Sequence, residues 1–174
     1  MIECISDARQ KTKDNWGHPE ITLEQAKKYI YHIDFSTIIC KLVNHLGWRH
    51  KHALAVCNMY KNFLYLNKKY GANCKLPPSE EIDEFWHQHI LDTKKYREDC
   101  DRIFGCYFDH YPYFGIDQKT TFADLGAAFE TMQRLYAKEF NGEGLFQVRN
   151  AYAQFYGFIV KVLRRKPNRA QMIS

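Results

Sequence analysis

Ser79-Glu-Glu-Ile-Asp-Glu-Phe-Trp-His-Gln-His-Ile-Leu-Asp-Thr-Lys-Lys-Tyr-Arg-Glu-Asp-Cys-Asp-Arg-Ile-Phe104 contains no glycine and no proline. It starts at a serine suited to capping a helix, and Glu80, Glu81, Asp83 and Glu84 crowd its first turns. Acids there satisfy free amide groups and oppose the positive end of the helix dipole. At about 100° per residue, Ile82, Phe85, Trp86, His89, Ile90, Thr93, Tyr96, Arg97, Cys100, Ile103 and Phe104 fall on one stripe. The stretch therefore predicts a single long helix over 79–104, closed by Gly105, with that stripe buried.

Outward from it, the same rhythm recurs. Thr22-x-x-Gln25 is a capping box opening a short helix through Tyr31. Asp34 caps a second, in which Phe35, Ile38, Ile39, Leu42, Val43 and Leu46 repeat at helical spacing until Gly47. A third runs from about Arg49 to Lys69 and ends at Gly71, before the stiff Leu76-Pro77-Pro78 joint. Thr121-x-x-Asp124 starts another, carrying Phe122, Leu125, Phe129, Met132, Leu135, Tyr136 and Phe140. Leu145 to Leu163 has a mixed period and reads as a further helical segment. No strand pattern or internal repeat interrupts this, so the expectation is an all-α, single-domain bundle of about five or six helices. Its organisation reads as an irregular lead-in over 1–20, a helical domain over 21–163 and a basic tail over 164–174.

Composition narrows the class. The chain has 174 residues, enough to bury a core without disulfides. Its six cysteines form no Cys-x-x-Cys pair, which removes zinc-ribbon and thioredoxin-type motifs. The first twenty residues are polar and no run approaches the ~18 apolar residues of a membrane span. A cytoplasmic location is expected, a signal-less secretion route being compatible with the same sequence. Lys161 to Arg169 concentrates five cations, read as a solvated helix end and tail rather than a nucleic-acid site. No phosphate loop, dinucleotide fingerprint, HExxH or GxSxG occurs, so no nucleotide cofactor is expected.

The informative chemistry lies in Asp83-Glu-Phe-Trp-His-Gln-His89. Histidines at i and i+2 leave a helix roughly 160° apart in projection after allowing for the full turn, so His87 and His89 do not share one ion. Asp83/His87 and His89/Asp92 have the i, i+4 and i, i+3 spacings that do converge. A third ligand can come from the connector Cys106-Tyr-Phe-Asp-His-Tyr-Pro-Tyr-Phe-Gly115, at His110 or Asp109. Two imidazoles and a carboxylate suit zinc or non-haem iron. The candidates are Asp83, His87, His89 and His110, and a structural hydrogen-bonded histidine cluster is the competing reading. A separate possibility is a non-enzymatic interaction module, with Tyr107, Phe108, Tyr111, Tyr113 and Phe114 as an aromatic anchor for a protein partner.

Residues 76–115 resemble the glycine-rich-domain-containing-protein-like family, formerly catalogued as a domain of unknown function. Its recurring element is an acid shortly before Trp-His-x-His, then a tyrosine seven residues after the second histidine and a cysteine four later. Asp83, Trp86, His87, His89, Tyr96 and Cys100 occupy these places. Asp92-Thr93 and His110-Tyr-Pro-Tyr-Phe-Gly115 are similar to the bacterial branch. The resemblance implies a helical fold and directs attention to Trp-His-x-His, without naming a reaction. Plant members carry glycine-rich and RNA-binding regions absent here, so it implies no RNA binding.

Overall fold

The computed structural model describes residues 20–140. Residues 1–19 of the expected 1–20 lead-in, the 145–163 segment and the basic tail lie outside them. Six helices and no strand are present among the described residues: α1 (Leu23–His32), α2 (Ser36–Leu46), α3 (His50–Tyr70), α4 (Glu80–Leu91), α5 (Thr93–Phe104) and α6 (Phe122–Glu139). No helix among them is long and apolar enough to cross a membrane.

Local chemistry explains most of the boundaries. The Thr22 side chain accepts from the Gln25 amide while the Gln25 side chain accepts from Thr22, forming the expected box at α1. Thr121 and Asp124 do the same for α6. Asp34 receives the Ser36 amide at 2.9 Å beside the first turn of α2. Gly47, at φ 72°, closes that helix in the left-handed conformation glycine adopts without strain.

The 21-residue α3 is the spine. Tyr60, Phe63, Leu64 and Leu66 are fully or almost fully buried along it, and α1, α2, α4 and α6 all pack against it. Phe35, Tyr60, Phe85 and His89 build an aromatic centre with neighbouring rings 5.0–5.8 Å apart. At the far end, Glu139 of α6 receives Lys69 at 2.8 Å and the Tyr70 hydroxyl at 2.6 Å from α3.

The single helix expected over 79–104 is two 12-residue helices. Asp92, at φ −83° and ψ 70°, ends α4 and caps α5. Its amide bonds back to the His89 carbonyl three residues earlier, tightening the last turn. Its carboxylate then accepts from the Lys95 amide. An aspartate that can offer its own oxygen to nearby amides competes with the continuing helix, and here it prevails. The buried stripe changes accordingly: Thr93 and Arg97 are exposed, and Asp99 takes an inward place.

Candidate metal centre

Asp83 and His87 are one turn apart on α4 and share a face. His87 Nδ1 lies 3.6 Å from Asp83 Oδ2. His110 reaches the same carboxylate from the connector between α5 and α6, its Nε2 2.7 Å from Asp83 Oδ1. The two imidazole rings are 4.7 Å apart. One ligand atom from each of the three residues falls within 4.8 Å of the others. A tetrahedral ion with bonds near 2.1 Å spaces its ligands about 3.4 Å apart, closer than the 4.8 Å limit within which these atoms lie; the His87 side chain is 44% exposed. His110 is more enclosed, at 15%. The cluster thus offers one carboxylate and two imidazoles with one side turned to solvent.

The fourth sequence candidate, His89, stands apart from this group. Its Nδ1 is 2.9 Å from the Tyr60 hydroxyl and its Nε2 is 3.0 Å from Asp99 Oδ2. Both ring nitrogens are therefore engaged in a site that is almost wholly buried. Asp99 also receives the Tyr29 hydroxyl on Oδ1 and the Lys95 ammonium at 3.1 Å on Oδ2. Burial pushes the Asp99 carboxyl up, but hydrogen bonds from His89, Tyr29 and Lys95, with the lysine charge, outweigh it and leave the group below its ordinary value. Burial holds the Tyr60 phenol well above its usual range, and burial with the bond to Asp99 lifts Tyr29 to about 12. A neutral imidazole satisfies the network, accepting from Tyr60 at Nδ1 and donating from Nε2 to Asp99.

Tyr60, Asp99 and Tyr29 were not among the residues the sequence singled out. Tyr60 is hidden in the apolar rhythm of α3, and Asp99 faces His89 only because the chain turns at Asp92. Ten residues of straight helix would separate them by about 15 Å. Asp92, offered with His89 as a chelating pair, instead caps α5. Cys100 makes a poor nucleophile, since burial raises its thiol.

The connector is partly packed and partly exposed. Phe108 stacks on Trp86 at 4.9 Å and on Phe104 at 4.6 Å, and Phe114 lies under the Lys75 ammonium at 4.6 Å. Tyr107, Tyr111 and Tyr113 are each about half exposed.

A sequence profile of the UCP032817-like family matches residues 25–142. The chain belongs to the UCP032817-like family. The matched span takes in α2 through α6 with most of α1, so the Asp83–His87–His110 group and the His89 network both lie inside the UCP032817-like region. No curated protein and no solved structure matches the chain.

Proposed function

We propose that this protein binds one zinc or ferrous ion through Asp83, His87 and His110, leaving further coordination positions for water or a substrate. The observation that carries this reading is the convergence of three ligand atoms from α4 and a connector 27 residues away in sequence. Two imidazoles and a carboxylate with an open side form a donor set used by zinc hydrolases and non-haem iron oxygenases. A zinc ion so held would lower the pKa of a bound water toward about 7, and either ion would polarise an incoming oxygen. Metal-assisted hydrolysis or oxidation is the chemistry that follows. The same reading takes residues 76–115 as a bacterial-branch form of the glycine-rich-domain-containing-protein-like pattern, in a cytoplasmic protein.

Elemental analysis of untagged protein tests it. About one equivalent of zinc or iron is expected for a single three-ligand site, with loss in His87→Ala and His110→Ala and retention in His89→Gln. Protein that is metal-free, and takes up neither added zinc nor ferrous iron under anaerobic conditions, sinks the proposal.

A second reading rests on the exposure of Tyr107, Tyr111 and Tyr113, residues that are 49%, 53% and 58% exposed. Together with Phe108 and Phe114 they offer an anchor to a protein partner. Serine at the three tyrosines then abolishes the association while metal content is unchanged; an association that survives the triple variant excludes this face.

A further inference from the structure

We propose that Tyr96 is the positioning residue for His110, an inference that rests on the metal reading above. Tyr96 is 1% exposed on α5. Its hydroxyl accepts from Trp86 Nε1 at 2.9 Å and donates to the Phe108 carbonyl at 2.5 Å. Trp86 precedes the ligand His87 on α4, and Phe108 lies two residues before the ligand His110. One oxygen therefore joins the helix that supplies two ligands to the loop that supplies the third.

The rings reinforce this tie. Phe108 stacks on Trp86 with an interplanar angle of 15°, and the His110 ring lies 4.5 Å from the same indole. Residues 111–120 are ordered separately, through Tyr111 to Asp117, Asp117 to Thr120 and Thr120 to the Gly115 amide. Those bonds fix the far half of the connector, while the 106–110 half is held by the Tyr96 junction, the Phe108 stacks on Trp86 and Phe104, and the His110–Asp83 contact. Two residues of extended chain reach at most ~7 Å, so once the Phe108 carbonyl is held, the His110 backbone stays within that distance of the junction.

Phenylalanine fills the same volume as tyrosine, so a purely packing role for Tyr96 predicts unchanged ligand geometry in Tyr96→Phe. The positioning role predicts a 10- to 100-fold weaker zinc Kd, the range typical when a group that orients a metal ligand is removed. Chelator competition measures this, with Tyr60→Phe as control: it deletes an equally buried hydroxyl that leads to His89 instead of the connector, and its zinc Kd stays within about twofold of wild type if the effect is local. A metal-free readout accompanies it, the nuclear Overhauser contact between the Trp86 indole and the His110 ring, expected to be lost in Tyr96→Phe. If Tyr96→Phe does not fold, Phe108→Leu removes the ring clamp and carries the same two measurements.

Wild-type zinc affinity and an intact ring contact in Tyr96→Phe overturn the assignment. If wild-type protein takes up no zinc or iron, the metal reading fails by itself, and the ring contact alone decides: its persistence in Tyr96→Phe refutes the tie, and its loss upholds it.

Discussion

His89 owes its place to partners that reach it from three helices: Tyr60 on α3, Asp99 on α5, and Tyr29 of α1 through Asp99. Removing the imidazole leaves a buried carboxylate and phenol short of partners, a loss of about 3 kcal/mol or more. His89→Ala is therefore expected to lower the urea midpoint sharply, whereas His87→Ala, on an exposed face, changes stability by less than about 0.5 kcal/mol in metal-free protein. Equal effects of the two substitutions would contradict the division between a buried network and an open cluster. Asp99 also gives stability a pH dependence. Its folded pKa lies below its unfolded value of about 3.9, so the unfolded chain binds the proton more readily. The stabilisation is fully present above that unfolded value and is lost as pH falls through the lower folded one. Urea unfolding at a series of pH values below about 5 is expected to show a shallower acid decline in Asp99→Asn than in wild type, from a lower starting stability.

At the scale of elements, legibility followed from whether the deciding interaction was local. Both capping boxes are short-range exchanges between residues three apart, and Thr22/Gln25 and Thr121/Asp124 could be read directly. The division at Asp92 could not, because apolar residues continue at helical spacing across it and mask an aspartate whose capping role depends on α5 folding back. Reading through it displaced Asp99 from the inward face and concealed the partner of His89. The open cluster was accessible because i, i+4 geometry needs only α4, but that His110 rather than Asp109 completes it depends on the connector. Gly115 shows how tightly that connector is drawn. It has φ 88°, and an added Cβ would lie 2.8 Å from Leu125 Cβ. Gly115→Ala combines backbone strain with a close contact and is expected to cost about 1–3 kcal/mol, seen as a lower denaturation midpoint. A neutral or stabilising result would mean that the α6 entrance yields more easily than this geometry allows.

For the molecule as a whole, α3 provides the common wall against which α1, α2, α4 and α6 are assembled. The two polar centres use this frame differently. One is sealed in the interior and serves the frame itself; the other lies on a flank of α4 where solvent has access. Binding to the folded chain alone raises its stability by about 2.7 kcal/mol at a ligand concentration 100 times Kd. Zinc or ferrous iron is accordingly expected to raise Tm in wild type and to leave His87→Ala unmoved. An equal rise in both would place the ion elsewhere on the protein.

Asp83 and His110 bracket the whole of α5 in sequence. An ion clasping these residues would close a covalent-and-coordinate ring of which α5 is itself a segment, although α5 donates no ligand. Fluctuations that peel α5 away must then either stretch that ring or release the ion first. Backbone amides of Tyr96 to Ile103 should consequently exchange with deuterium more slowly once metal is added, a protection reaching a helix the ion never touches.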